Sequence, residues 1–384
     1  MAGTSASRFR RALDHEYSAA ISIAAGVLVA LLWSALGTAS YQRLVNAAWG
    51  IHLLREVSLD STHSVVSSAL MTLFFFAIGL ELKREFTTGS LTTASVSMPP
   101  VFGALGGMMA TALLSLLAGF VTHSTVLERG WSVPMATDIA FTLGVLALVG
   151  RRLPSKIRVF LLTLAVADDA FSVLILAFTS ATHVRFVGVA ALPVMVVLGI
   201  WTSRSSSNVS WGLAVLVGLW GCLVWANVEP PLAGVIAGLL ISFENGAALR
   251  LEGAMSRCST AFVLPVFAVV SCGLRWHELS WRSSTMTIVI SLVVIRIVGK
   301  VIGISGGVAL ARLFRFRLDP TITWPLLGGV AILCAIGFTV PLLFAGSLFG
   351  TKSASYGAIT LGLLAASLVA TALGALYLRL LTRD

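Results

Sequence analysis

Long apolar stretches alternate with short polar segments from one end of the chain to the other. A run of about 20 apolar residues is long enough to cross the hydrocarbon core of a bilayer as an α-helix. The pattern therefore predicts an all-α polytopic membrane protein, with a single transmembrane domain over residues 1–384. Twelve transmembrane helices are predicted, at about 18–36, 64–82, 95–121, 131–150, 157–180, 184–201, 210–226, 230–243, 258–273, 284–311, 323–349 and 355–378.

The composition strengthens this interpretation. Hydrophobic residues make up 57% of the 384 residues, charged residues make up 11%, and the mean hydropathy is +0.96. Charged residues account for about 25% of an ordinary soluble domain. A packed soluble fold is therefore a poor alternative.

The net charge of +10 would suit a nucleic-acid-binding protein, but its distribution favours a membrane. If residues 8–11 are cytoplasmic, 17 of the 26 Lys and Arg residues lie on the cytoplasmic side, seven lie on the opposite side and two lie within a span. Loops rich in Lys and Arg stay in the cytoplasm, so both ends of the chain are predicted to be cytoplasmic. The basic charge is then explained by contact with membrane lipids, and no nucleic-acid partner is expected.

Five ionisable residues interrupt the apolar stretches, namely Asp138, Asp168, Asp169, Arg296 and Lys300. A charge at the centre of a bilayer costs about 3 kcal/mol on insertion scales, and such residues usually mark ion or proton routes. One of them alone is equally well explained as a structural charge paired with a neighbour. Three acids and two bases on three spans together favour an ion site, whose net charge of −1 attracts a small cation.

Helix geometry limits how these charges can pair. Adjacent residues of a helix point about 100° apart, so Asp168 and Asp169 do not both face one partner. One of them can line a cavity while the other reaches a base on a neighbouring helix. Arg296 and Lys300 are four residues apart and share a helix face, and Lys300, near the middle of its span, is the natural partner for one aspartate.

Two of the predicted spans contain residues that break helices near their centres. In 131–150, Pro134 precedes Asp138, and 323–349 contains Gly337 and Pro341. Proline removes a helical hydrogen bond, and paired interrupted segments in two halves of a chain are typical of a transporter's binding site. For either span alone, a kinked helix healed by its neighbours is the alternative. The buried acids nearby favour true interruptions.

Several motifs together resemble the NhaA family of sodium/proton antiporters, in order and spacing over nearly the whole chain. They are the Asp-Asp pair at 168–169, GLELKRE at 79–85, P-x-A-T-D-I-A-F at 134–141, LAGVIAG at 232–238, GK-x-x-GI at 299–304 and CAIGFT at 334–339. The resemblance implies twelve helices, with helices 3–5 (about 95–180) inversely related to helices 10–12 (about 284–378). It also implies that helices 4 and 11 are interrupted and cross at mid-membrane, and that the protein is a homodimer of the bacterial inner membrane.

The resemblance also implies a role for each candidate residue. Asp169 would be the main cation ligand and proton carrier, and Asp168 would be a second carboxylate that pairs with Lys300 when no ion is bound. Asp138 and Thr137 would lie at the helix interruption. A charged cluster that tunes the response to pH would consist of Glu81, Arg84, Glu85 and Glu252.

The implied mechanism is competition between Na⁺ or Li⁺ and protons for the oxygens of Asp168 and Asp169, with access alternating between the two sides. Hard cations prefer such oxygen ligands. If two protons exchange for one Na⁺, the cycle is electrogenic. The sequence leaves open whether Lys300 carries one of these protons. No cofactor is expected beyond the transported ions.

Three features depart from the family pattern. Glu229 stands where a histidine is expected, which predicts an altered pH threshold because a typical glutamate does not titrate near neutral pH. Arg296 stands where an apolar residue is expected, and as a permanent charge it is a candidate competitor for Asp168. Phe171 and Ser172 replace smaller, apolar residues beside the aspartates, which predicts a change in site volume and ion preference.

Two other functions use related features and are weighed against antiport. An intramembrane aspartyl protease needs Tyr-Asp and Gly-x-Gly-Asp motifs, whereas this chain has ATD at 136–138 and VADD at 166–169. A carrier that couples sodium to an organic solute needs a larger polar cavity, for which the sequence has no cluster of polar or aromatic residues. A secondary transporter that is not an enzyme is the function that the sequence favours.

The segment 49–60, WGIHLLREVSLD, alternates apolar and polar residues. This alternation predicts a short external hairpin, and an unstructured loop is the alternative that the pattern leaves open. In the family that the chain resembles, such a hairpin supports a homodimer.

Overall fold

The computed structural model describes residues 2–49, 51–54, 57–59, 61–89, 94–149, 153–179, 185–205, 209–243, 246–276 and 283–381. Almost all of this part of the chain is helical, which confirms the all-α prediction. The helices are α1 Ala2–Leu36, α2 Thr38–Val45, α3 Thr62–Val65, α4 Met71–Thr87, α5 Ala94–Thr122, α6 Thr125–Arg129, α7 Ile139–Val149, α8 Ser155–Thr179, α9 Phe186–Ser205, α10 Val209–Ala226, α11 Leu232–Leu240, α12 Gly246–Cys258, α13 Leu264–Ser271, α14 Ser283–Leu313, α15 Trp324–Leu333, α16 Thr339–Phe349 and α17 Ala354–Leu381.

Two π-helical turns and one hairpin complete the secondary structure of the described residues. The π-helical turns are Val66–Leu70, between α3 and α4, and Ser259–Val263, between α12 and α13. Strand β1, Ile51–Leu54, pairs antiparallel with strand β2, Val57–Leu59, with Ile51 opposite Leu59.

Seven helical stretches of the described residues are long and apolar enough to cross a membrane: Ser18–Leu36, Thr62–Thr87, Val96–Thr122, Lys156–Thr179, Gly246–Ser271, Ser283–Leu313 and Ala354–Leu381. Shorter apolar helices run over Ile139–Val149, Gly188–Thr202, Trp211–Ala226, Trp324–Leu333 and Thr339–Phe349. Large apolar side chains such as Leu113 and Ile290 are exposed on these helices. Apolar surface of this extent suits contact with lipid tails. The fold is therefore that of a polytopic membrane protein.

The helices form two compact units. The first unit comprises Met1–Ala25, Thr93–Phe171 and Leu274–Asp384. Within it, α5 and α14 pack so closely that a Cβ atom added to Gly106 would meet the carbonyl oxygen of Gly303, and one added to Gly303 would meet that of Gly106. Small residues permit this approach of two backbones, and van der Waals packing then stabilises the helix pair.

The second unit comprises Gly26–Thr92 and Ser172–Gly273. Within it, α4 packs against α11 through glycines on both helices. A Cβ atom added to Gly79 would lie 2.6 Å from the carbonyl oxygen of Val235, and one added to Gly238 would lie 2.7 Å from the backbone of Gly79. The LAGVIAG and GLELKRE motifs thus owe their glycines to close helix packing.

Two predicted spans contain non-helical segments inside the first unit. In the 131–150 span, α7 begins only at Ile139, after the turns and extended residues that follow Arg129. In the 323–349 span, α15 ends at Leu333 and α16 begins at Thr339. We call these segments, 130–138 and 334–338, the two interruptions.

Candidate functional site

The two interruptions lie against each other and satisfy each other's backbone groups. The backbone N–H of Asp138 donates to the carbonyl oxygen of Ile336 at 2.9 Å, and the hydroxyl of Thr137 donates to that of Cys334 at 2.9 Å. Irregular backbone inside a membrane protein is tolerated where such partners are available. The polar atoms of both interruptions are therefore concentrated in one place.

Asp138 binds the beginning of α16. Its Oδ2 atom accepts hydrogen bonds from the backbone N–H groups of Phe338, at 2.8 Å, and Thr339, at 3.1 Å, and its Oδ1 atom accepts from the hydroxyl of Thr339. N–H groups at a helix start have no helical partner and carry partial positive charge. The buried carboxylate of Asp138 supplies both the acceptors and the opposite charge.

Arg296 is fully buried on α14 and binds carbonyl groups of both interruptions. Its Nε donates to the carbonyl oxygen of Ala335 at 2.9 Å, and its Nη2 donates to that of Ala136 at 2.9 Å. These bonds are to backbone and not to an aspartate. Arg296 also interacts electrostatically with Asp138 and, more weakly, with Asp168.

Lys300, one turn after Arg296, forms an ion pair with Asp168. The Nζ atom of Lys300 lies 3.1 Å from Oδ1 of Asp168, and the two side chains are 1% and 0% exposed. The Oδ2 atom of Asp168 accepts a hydrogen bond from the backbone N–H of Thr137 at 2.9 Å. Asp168 is thus joined both to α14 and to the first interruption.

Asp169 is the next residue of α8 and is also buried, at 7% exposure. Because adjacent helical positions differ by about 100°, its carboxylate points away from the direction of Asp168. The structure therefore brings the five predicted membrane charges and Thr137 into one unit, with a net charge of −1 when all five ionisable residues are charged.

The chemistry of this site is that of oxygen ligands for a hard cation. Carboxylates of Asp168 and Asp169, the hydroxyl of Thr137 and backbone carbonyls at the interruptions are the donor types that such cations prefer. Among the described residues, no group of three or more His, Cys, Asp or Glu side chains is arranged so that it could hold a metal ion.

Two residues that the sequence did not single out join the site. Thr339 donates its hydroxyl to Asp138, and Ser367 of α17 contacts Gly337, accepting from its N–H at 3.1 Å. Thr339 ends the CAIGFT motif, which was a usable signal. Ser367 lies in an ordinary apolar helix, and no sequence pattern marks it.

The predicted pH-response residues lie together in the second unit. Arg84 of α4 contacts Glu252 of α12, with Nη1 and Oε1 2.6 Å apart, and its Nη2 lies 3.0 Å from Oε1 of Glu85 and 4.0 Å from Oε1 of Glu81. One guanidinium thus serves three carboxylates, which leaves an excess of negative charge.

Glu229 lies in the turn before α11. Its backbone carbonyl accepts a hydrogen bond from the N–H of Leu232 at 3.2 Å. Its position at the start of a helix suits a negative side chain.

The chain matches one known family over almost its entire length. A family model described as Na⁺/H⁺ antiporter 1 matches residues 10–378. The similar proteins include Na⁺/H⁺ antiporter NhaA 1 of Kineococcus radiotolerans, which is 34% identical over 97% of this chain and 89% of its own length. They also include NhaA of Salmonella arizonae, 33% identical over 93% of this chain and 96% of its own length. NhaA of Mycolicibacterium smegmatis is 33% identical over 91% and 83% respectively.

Proposed function

Because the chain belongs to the Na⁺/H⁺ antiporter 1 family, and is a secondary transporter and not an enzyme, we propose that it exchanges Na⁺ and H⁺ at Asp168 and Asp169. The observation that carries this assignment is the burial of both carboxylates beside two chain interruptions. The protein is then an integral membrane protein that transports Na⁺ or Li⁺ and H⁺.

Exchange follows from competition for the same oxygens. A protonated carboxyl group has lost the charge that attracts Na⁺, and a carboxylate that binds Na⁺ resists protonation. Asp169 is the main ligand and proton carrier. Asp168 is the second carboxylate, and its pairing with Lys300 occupies it while no ion is bound, which is supported by the 3.1 Å contact.

Thr137 and Asp138 complete the site in different ways. The backbone N–H of Thr137 donates to Asp168, which places this residue beside the ion pair. Its hydroxyl can therefore offer a neutral oxygen to the cation. The carboxylate of Asp138 binds the start of α16 and so holds the second interruption beside the first. Two protons exchange for each Na⁺, so the cycle moves one net charge.

The architecture that we propose has twelve membrane-crossing segments. Helices 3–5, about 95–180, and helices 10–12, about 284–378, are inverted repeats whose fourth and eleventh segments cross at mid-membrane. The two mutually bonded interruptions support this arrangement. Both ends lie in the cytoplasm of a bacterial cell, the protein resides in the inner membrane, and two copies associate through the β1–β2 hairpin.

Regulation by pH is assigned to the cluster of Glu81, Arg84, Glu85 and Glu252. Three carboxylates share one guanidinium, so the proton occupancy of the cluster changes its net charge without touching the ion site. Glu229, in place of a histidine, alters the pH at which exchange begins.

The substitution Asp169→Asn tests the ion site. We expect it to abolish Na⁺-dependent dequenching of a pH-sensitive dye in everted membrane vesicles, while the protein still inserts at the normal level. Asp319→Asn is the matched control, because Asp319 lies in the loop before α15, where its carboxylate accepts from Thr321 and contacts Lys156 at 4.0 Å. Sodium-dependent dequenching of normal size in Asp169→Asn would refute the assignment.

A further inference from the structure

Arg296 contacts both interruptions at corresponding points. Ala136 comes three residues before Ile139, where α7 begins, and Ala335 comes four residues before Thr339, where α16 begins, so each carbonyl belongs to the non-helical part of its segment. Carbonyls without helical partners carry partial negative charge, and guanidinium is a permanent cation with several fixed donors. One side chain therefore ties the carbonyl sides of the two interruptions together.

Asp138 performs the complementary task on the N–H side. It accepts from the backbone N–H groups at the start of α16, while Arg296 donates to carbonyls that precede the second half of each segment. The two opposite charges cancel, and both are engaged by backbone. Asp168, Lys300 and Asp169 then supply the net charge of −1, and Asp168 also accepts from the backbone N–H of Thr137.

An apolar residue at position 296 would leave the carbonyl groups of Ala136 and Ala335 without their donors. Buried carbonyl groups without donors cost stability, so these two bonds account for a guanidinium at this position.

We propose that Arg296 is a positioning residue of the exchange reaction. Its bonds to carbonyl groups of both interruptions keep Thr137 and Asp138 in place. Lys300 then remains available for the ion pair with Asp168. The inference rests on the ion site proposed above and adds to it a residue that does not contact the ion.

Gly337 provides an independent handle on the same contact. A Cβ atom added at this position would meet Nη2 of Arg296 and would lie 2.8 Å from the carbonyl oxygen of Ala136. The same Cβ atom would lie 3.2 Å from the backbone N of Asp138. Gly337→Ala therefore disturbs the bond between Arg296 and Ala136 most strongly, while it leaves every charge of the site in place.

The experiment measures the KM for Na⁺ and the maximal rate in everted vesicles. We expect Arg296→Gln to raise the KM for Na⁺ about tenfold, because loss of a residue that holds the ligands of an ion commonly has an effect of this size. Arg296→Lys should recover most of the affinity, because an ammonium group can also donate to carbonyls. Arg317→Gln, the same substitution at an exposed position of the loop between α14 and α15, should leave the KM unchanged.

Gly337→Ala should raise the KM for Na⁺ to a similar extent. The KM of the double variant Arg296→Gln/Gly337→Ala should not exceed the higher of the two single-variant values, because both changes act on one contact. A wild-type KM in Arg296→Gln, failure of lysine to restore it, or additive effects in the double variant would each overturn the proposal. If Arg296→Gln does not accumulate in the membrane, Gly337→Ala decides, and a wild-type KM in this variant overturns the proposal.

The outcome is separable from that of the ion site. Normal exchange in Asp169→Asn removes the site, whatever Arg296 does. Loss of exchange in Asp169→Asn together with a wild-type KM in Arg296→Gln and Gly337→Ala removes only the role of Arg296.

Discussion

The pair of Lys300 and Asp168 is buried so completely that each charge depends on the other. Removing one member of such a pair leaves an uncompensated charge and costs about 3–5 kcal/mol. We predict that Lys300→Gln lowers the midpoint of thermal unfolding of the purified protein. The double variant Lys300→Gln/Asp168→Asn should recover much of the loss, because two neutral amides can still form a hydrogen bond.

Thermal unfolding in detergent, followed by circular dichroism, measures this prediction. Lys352→Gln serves as the control, because Lys352 is exposed just before α17. A double variant as unstable as Lys300→Gln would mean that the lysine stabilises the protein through some contact other than Asp168.

The charges themselves were predictable from the sequence, but the partners of Arg296 were not. A charge in an apolar stretch is visible by contrast, and the position of Lys300 suggested an aspartate as its partner. The sequence makes Arg296 a candidate competitor for Asp168, whereas its hydrogen bonds go to Ala335 and Ala136. Every residue carries a carbonyl, so no sequence pattern marks the two that have lost their helical partners.

At the scale of helices, the close contact of α5 with α14 positions both buried bases. Gly303 of α14 meets the backbone of Gly106 directly, whereas a Cβ atom added to Gly306 has no atom within 4 Å. We predict that Gly303→Ala forces the helices apart, lowers the unfolding temperature and reduces exchange. Gly306→Ala, the same substitution one turn away, should be neutral or stabilise the helix by up to about 1 kcal/mol.

Both variants can be compared by thermal unfolding and by exchange in everted vesicles. Equal behaviour of Gly303→Ala and Gly306→Ala would show that the contact with Gly106 does not control the position of α14.

The existence of the helices follows from hydropathy, but their ends do not. A span was predicted at 131–150, and its helix α7 begins only at Ile139. Pro134 disfavours a helix locally. The interruption is stabilised by the hydrogen bonds that Asp138 and Thr137 donate to the carbonyl groups of Ile336 and Cys334, about 200 residues later. Hydrogen bonds over such sequence distances depend on the folded arrangement, which local propensity does not contain.

At the scale of the whole molecule, the charge count of the ion site predicts that transport responds to voltage. Asp138 and Arg296 cancel each other and are held by backbone, so the exchange depends on Asp169 and on the pair of Asp168 and Lys300. If Asp169 and this pair each release one proton when Na⁺ binds, two protons enter for each Na⁺ that leaves. One net positive charge then moves inward in every cycle.

We therefore predict that a membrane potential negative on the cytoplasmic side accelerates Na⁺ export by purified protein in liposomes, and that valinomycin with equal K⁺ on both sides abolishes the acceleration. The pH is held equal on both sides so that voltage is the sole driving force. One-for-one exchange would be indifferent to the potential and would contradict the count. Lys300→Gln then identifies the second proton carrier: loss of the voltage response assigns that proton to Lys300, and a retained response assigns it to Asp168.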